Sequence, residues 1–492
     1  MTYPRRAITA AIIITALATA FPASLSCASA RPLQHEVRAV WMSRFDYAAG
    51  KTPRQSRDYI ISEFDRCRKA GINTVIFQVR GQADAFYRST LEPWSDLLSG
   101  ELGKDPGWDP LEFAVTAAHL RGMELHAWVN VFPAWKAGTQ PPPATSPLHP
   151  LLAHPEWVVQ DASGKPMSPH EGYISFNPAS PGVRAHVQAV VAEIAGTYDI
   201  DGLHLDYIRY PDGAAKYGYS RDSGSLAAFS TPEGNPRGLA WDEWQREQVN
   251  LTVAAIYRSV SSAKPWVKVS AAVIGHVSGT AWNGLQMVYQ DARAWLETGT
   301  IDMLFPMTYT STRTASAPYN LAISQWRDML RYGRAIIPAV PAYKFGQKYY
   351  TMCEFNRQIG LIRGGNFQGI VFFSSTGFAK IAERMAARHF PAPALPAPMA
   401  WKRFEPPAMP RPRATDIVDE YAIVRWESDD RPALYALYEA GEGAVPGALI
   451  GTVPGYQKFC IVSRPQARKP LFVKAVNRVG AQSGPVRLPS IK

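Results

Sequence analysis

Eight short apolar runs alternate with amphipathic stretches along the first three-quarters of the chain, and this alternation constrains the fold more than any other feature. The runs begin near Val37, Asn73, Glu124, Gly202, Val267, Ile301, Ala335 and Gly369. A strand followed by helix-like sequence, repeated eight times, predicts an α/β fold of the (β/α)8 TIM-barrel type rather than an open doubly wound sheet. One crossover helix reads clearly. After Ser180-Pro181, the residues Val183, Val187, Val190, Val191 and Ile194 fall at helical spacing, with the proline in the first turn. That helix leads directly into the strand Asp201-Gly202-Leu203-His204-Leu205-Asp206.

Two breaks in composition divide the rest. Residues 1–30 read as an export signal: Arg5 and Arg6 precede the apolar run Ala7 to Phe21, and Ala28-Ser29-Ala30 offers a cleavage site. Cys27 supplies a competing lipoprotein reading, in which Ser24 stands where an aliphatic residue is wanted. The expected location is outside the cytoplasm, in the periplasm or cell envelope, with membrane attachment only if Cys27 is lipidated. The second break is a proline-rich run from Phe390 to Pro412, whose composition predicts an extended linker over 391–412. The barrel domain is therefore expected over 31–390. Residues 413–492 carry five strand-like runs between Gly/Pro turns and no helical period, which predicts a small β-sandwich. Trp426, Tyr435 and the run Phe472 to Gly480 resemble a fibronectin type III domain. Cys67, Cys353 and Cys460 are too scattered for a disulfide framework or a zinc site.

The formal net charge is +11. A basic excess favours anionic partners in general. No run of five or more Lys or Arg occurs, however, and no nucleic-acid-binding module can be read, so nucleic acid is excluded as a partner. The 14 Trp and 22 Tyr suit a cleft that stacks sugar rings, although a large barrel also places aromatics in its core.

In a barrel the chemistry sits at the C-terminal ends of the strands, and period-two alternation tells which side chains point inward. In the fourth strand Leu203 and Leu205 face the helices, so His204 and Asp206 face the interior. A carboxylate at that strand end is costly to bury unless paired or functional. Its bland reading is an acceptor for Arg209 or a tyrosine. In the second strand Gln78 and Arg80 share the inward face, and Arg80 is placed to pair with a carboxylate or bind a substrate oxygen. In the third strand Glu124, His126, Trp128 and Asn130 point inward. Trp128 suits a sugar platform and Asn130 a hydroxyl partner, and Tyr309 reaches the same rim from the sixth strand. For each of these, packing or strand-end hydrogen bonding is the rival explanation. His126, His204 and Asp206 together also admit a metal site, although the tight His-x-His or His-x-x-x-His spacing is absent.

The barrel region resembles the glycosyl hydrolase-like 10 family. The resemblance is carried by Glu36 to Trp41, Asn73 to Arg80, Asp84 to Tyr87, Pro93-Trp94-Ser95, Asp109-Pro110-Leu111, Arg121 to Asn130 and Phe176-Asn177-Pro178. The most telling block is Tyr198 to Tyr207, and Ile301-Asp302 with Pro306 to Tyr309 closes the series. It implies a TIM barrel, an envelope location and glycan hydrolysis, and at least one relative acts on peptidoglycan strands stripped of stem peptides. Many relatives carry two adjacent aspartates where this chain has Asp206 and then Tyr207.

Most glycosidases need two carboxyl groups flanking the bond. Asp206 is expected to be one. For the second, Asp84, Asp46, Glu171 and Asp212 are the loop candidates, with Asp84 taken first. An acetamido group on the substrate itself is an alternative nucleophile. The expected substrate-binding set is Trp41, Gln78, Arg80, His126, Trp128, Asn130, His204, Tyr207, Arg209 and Tyr309, with no metal and no cofactor. The expected partner is a polysaccharide, foremost peptidoglycan glycan. A metal-dependent polysaccharide deacetylase and a non-catalytic glycan-binding scaffold are the rival classes.

Overall fold

The computed structural model describes residues 34–136, 139–167 and 172–491. The export-signal reading of 1–30, Cys27 and Glu171 lie outside the described residues. Eight parallel strand positions form one sheet. They are β1 (Val37–Met42), β2 (Thr74–Arg80), β3 (Glu124–Asn130), β4 (Gly202–Asp206), β5 (Lys268–Ile274), β6 (Met303–Met307), β7 in two pieces (Ala335–Ile336 and Ala339–Val340) and β8 (Gly369–Phe373). The pieces of β7 close the barrel. Ala335–Ile336 pairs with β6, and Ala339–Val340 pairs with β8. Pro338 has no N–H for a ladder, and the run changes partners there, with the Val371 N–H donating to the Pro338 carbonyl.

The strand faces divide as alternation requires. Val40, Val75, Leu125, Leu203, Val269 and Leu304 pack outward against the helices. Ala39, Trp41, Ile76, Trp128, Ala272, Phe305 and Val371 fill the interior. The crossover helix Pro181–Thr197 is capped by Ser180, whose hydroxyl accepts the Val183 N–H, and buries Val183, Val187, Val190, Val191 and Ile194. Gly202 is required by close approach: a Cβ there would lie 2.5 to 2.7 Å from the His126 ring. Gly202→Ala is therefore expected to destabilise the fold by about 1–3 kcal/mol, the usual cost of overpacking. A urea midpoint equal to that of the parent would show instead that the His126 ring gives way.

The chain then runs along the barrel floor. His35 bridges Leu395, while Ala397 and Met399 are buried against the interior cluster. Beyond it stand two small antiparallel sheets. One joins Tyr421–Glu427 to Phe459–Ser463. The other orders Pro446–Pro454, Leu434–Ala440, Leu471–Val476 and Val486–Leu488. Trp426 meets Tyr435 edge-on between them, with ring centroids 5.1 Å apart. The floor contact is ionic as well as apolar: Arg478 reaches Asp199 at 2.6 Å and Asp201 at 3.4 Å. Among the described residues no helix is long and apolar enough to cross a membrane.

Candidate active site

At the C-terminal mouth of the barrel a cavity of about 290 Å³ opens between strand ends. Its walls come from Trp41 on β1, Gln78 on β2, Trp128 and Asn130 on β3, Asp206 on β4, Ala272 on β5, Met307 and Tyr309 at β6, and Phe373 on β8. Ser43, Arg44, Phe45, Tyr173, Tyr207 and Arg209, from the segments that follow the barrel strands, complete it. Of the residues expected at the site, Trp41, Gln78, Trp128, Asn130, Asp206, Tyr207, Arg209 and Tyr309 are brought together here.

The turn at the end of β4 holds Asp206 in place. Asp206 Oδ1 accepts the Tyr207 amide N–H at 2.7 Å and faces Arg209 Nη1 at 3.4 Å. Tyr207 adopts a φ of 49°, a left-handed conformation that costs a non-glycine residue energy and clusters at functional sites. The turn sets the Tyr207 ring edge-on to Tyr173, centroids 5.5 Å apart, beneath the Arg209 guanidinium at 4.4 Å. Directly after Asp206 this chain thus sets an aromatic wall.

The floor is a set of fixed rings. Trp128 Nε1–H and Gln78 Nε2–H both donate to Asn130 Oδ1, at 2.9 and 3.2 Å. Asn130 Nδ2 donates to the Gly81 carbonyl at 3.0 Å. Asn130 thus orients Trp128, and its carbonyl is committed to protein donors rather than to a sugar hydroxyl. Trp41 Nε1–H donates to His204 Nε2 at 3.0 Å, and His204 Nδ1 meets Ser270 Oγ at 2.9 Å. Because indole can only donate, His204 carries its proton on Nδ1. Burial, and then the neighbouring His126, hold its pKa well below the usual range, so it is a neutral acceptor that positions Trp41. Burial and then Asp206 push the Tyr309 phenol well above its usual range, which leaves it a hydrogen-bond donor.

Four expected site residues lie elsewhere. His204 sits one layer below the cavity. His126 is deeper still, bonded to Glu124 at 3.3 Å. Arg80 is fully buried in a bidentate pair with Glu92, at 2.6 and 2.8 Å, and donates to the Asn130 and Val131 carbonyls, so the carboxylate it pairs with is a structural one. Asp84 does not border the cavity. Its Oδ1 accepts the Gly81 and Gln82 amides and closes the loop after β2. Asp46 caps the short helix Arg44–Tyr47, accepting the Ser43 N–H at 2.9 Å. Asp212 is also off the cavity wall. Among the described residues Asp206 is the one carboxylate lining it.

No group of three or more His, Cys, Asp or Glu side chains that could hold a metal occurs among the described residues. Both nitrogens of His204 are committed to protein partners, which removes it from the donor set considered for a deacetylase. Arg44, Phe45, Tyr173 and Phe373 border the cavity without having been anticipated. Three of them lie off the barrel strands, where alternation carries no information. Phe373 ends β8 on the inward face and was legible in principle.

A (β/α)8 barrel whose open mouth holds an inward carboxylate among aromatic rings defines a barrel of the glycoside-hydrolase type. The chain belongs to the glycosyl hydrolase-like 10 family, whose model matches residues 36–352. It is 28% identical over 402 residues to the glycosyl hydrolase YngK of Bacillus subtilis, covering 74% of each chain. It is 25% identical over 373 residues to the glycosyl hydrolase DigH of Escherichia coli K12, covering 68% of this chain and 79% of that one. The glycoside hydrolase domain of PgaB (BpsB) from Bordetella bronchiseptica shares the fold, with a TM-score of 0.50 at 16% identity over 72% of this chain and 98% of that one.

Proposed function

We propose that this protein hydrolyses glycosidic bonds in an envelope polysaccharide, foremost peptidoglycan strands lacking stem peptides, after export directed by residues 1–30. The observation that carries the reading is the Asp206 carboxylate set by its backbone turn into an aromatic cleft at the barrel mouth. Trp41, Trp128, Tyr207 and Tyr309 offer faces and edges on which sugar rings stack. Asp206 then serves as the acid–base group. It gives its proton to the leaving oxygen while the acetamido oxygen of an N-acetyl sugar bonds to the anomeric carbon. Water opens that intermediate and returns a proton to Asp206. One protein carboxylate suffices in this scheme, in keeping with the single acid among the described lining residues.

The test is mass spectrometry of soluble products from residues 31–492 incubated with intact and with amidase-stripped peptidoglycan. Reducing oligosaccharides released from stripped strands are expected. Strands bound but never shortened would overturn hydrolysis in favour of a binding scaffold, and deacetylated, uncut strands would overturn it in favour of amide chemistry.

A further inference from the structure

Burying a guanidinium is costly unless an anion neutralises it. Four arginines are buried among the described residues: Arg38, Arg44, Arg80 and Arg209. Arg38 pairs with Glu36, Arg80 with Glu92 and Arg209 with Asp206. Arg44 is only 3% exposed, yet no carboxylate of the described residues lies within ion-pair distance of it. Its partners are Tyr173, whose hydroxyl accepts from Nη2 at 2.7 Å, and the ring of Phe45 at 4.3 Å. Nε and Nη1 have no hydrogen-bond partner among the described residues, and the side chain lines the cleft that holds Asp206.

The chain is shaped to hold the group there. A Cβ on Gly81 would come within 2.5 Å of Arg44 Nε and 2.6 Å of Cζ, so the guanidinium lies where only a glycine leaves room. Gly81 is not in a left-handed conformation, so its backbone conformation does not demand glycine. A guanidinium held through one Nη2 hydrogen bond, with its Nη1 N–H groups unpartnered among the described residues and its side chain lining a cleft, matches a carboxylate better than a neutral hydroxyl. The missing anion is then brought by the ligand.

We infer that Arg44 binds a carboxylate of the substrate, and that the glycan taken by this cleft carries an acidic substituent such as a lactyl ether or a uronic acid. This rests on the glycan-cleaving reading of the same cleft and narrows its substrate. Phe45, 52% exposed beside Arg44, would cover the apolar face of the same sugar.

The test compares each acidic oligosaccharide with its carboxyl-methylated form. One series alternates N-acetylglucosamine with N-acetylmuramic acid, and the other is oligogalacturonate. Binding is measured by calorimetry on Asp206→Asn protein, and hydrolysis as kcat/KM on the parent. The free acid is expected to bind about tenfold or more tighter than the ester in one series, which identifies the source of the carboxylate. Arg44→Met is expected to bring the acid down to the ester's level. Gly81→Ala, which keeps the arginine but displaces its guanidinium, is expected to do the same and covers a misfolded Arg44 variant. Equal affinity for acid and ester in both series, or a preference that survives in both variants, would overturn the assignment. An Arg44-dependent preference without cleavage of any strand would support it while overturning hydrolysis.

Discussion

Asp206→Asn is expected to lower kcat on stripped peptidoglycan strands by about 10³-fold, with KM little changed. Positioned acid–base groups contribute about 10² to 10⁴ in rate, which at 1.36 kcal/mol per factor of ten is about 3–5 kcal/mol of barrier. The exchange is nearly isosteric. An asparagine Oδ1 still accepts the Tyr207 amide N–H, so the turn at φ 49° and the rings built on it persist. What is lost is the ability to give and take a proton, together with the negative charge facing Arg209 Nη1 at 3.4 Å. The change therefore belongs in kcat, with calorimetric affinity for the strands retained. Thermal unfolding within a few degrees of the parent would confirm that the loss is chemical. Full turnover in the variant would sink the assignment, and equal losses in kcat and affinity would make Asp206 a binding group.

The pattern of inward residues was legible from alternation, but their depth was not. Alternation along β3 places His126, Trp128 and Asn130 on one face, and all three do point inward. In a tilted barrel such side chains stack in layers. His126 falls in a low layer and His204 in the next, while Trp128 and Asn130 reach the mouth. A period of two says nothing about which layer meets the cleft. Arg80 failed for a second reason: its partner Glu92 sits twelve residues on, in a loop without periodicity, so a buried pair was invisible beside a plausible substrate contact. Asp84 looked catalytic because it comes just after a strand end. Its spacing of two and three residues from Gln82 and Gly81 is that of a turn acceptor, which the sequence does display. All eight strand starts were readable, including the divided β7, because apolar runs between helices survive a proline that splits the ladder. Arg44 went unread because a residue on a short helix after a strand has no face until the loops around it are placed.

Glu92→Gln is expected to destabilise the fold by about 3–5 kcal/mol, the cost of leaving one member of a buried ion pair without its partner. Glu92 and Arg80 are both fully shielded from solvent, and His186 Nε2 adds a contact to Glu92 at 2.8 Å. Burial alone would raise the Glu92 carboxyl, but Arg80 and His186 outweigh it and hold the group at about 2, against an ordinary value of 4.5. The folded value is the depressed one. The contribution is therefore complete above the ordinary value and is lost as pH falls from about 4.5 through about 2. Urea midpoints measured across that window should fall in the parent and flatten in Glu92→Gln, so the two curves converge in acid. A gap between them that is the same at pH 3 and pH 7 would contradict the pairing. The pair also bears on the cleft, because Arg80 donates to the carbonyls of Asn130 and Val131 at the end of β3. Replacing both partners by apolar residues, as in Arg80→Met with Glu92→Leu, separates the two roles. Stability should return towards the parent, since a well-packed apolar pair often matches a buried ion pair. Turnover should stay low, because the Asn130 and Val131 carbonyls at the end of β3 then lose their arginine donor.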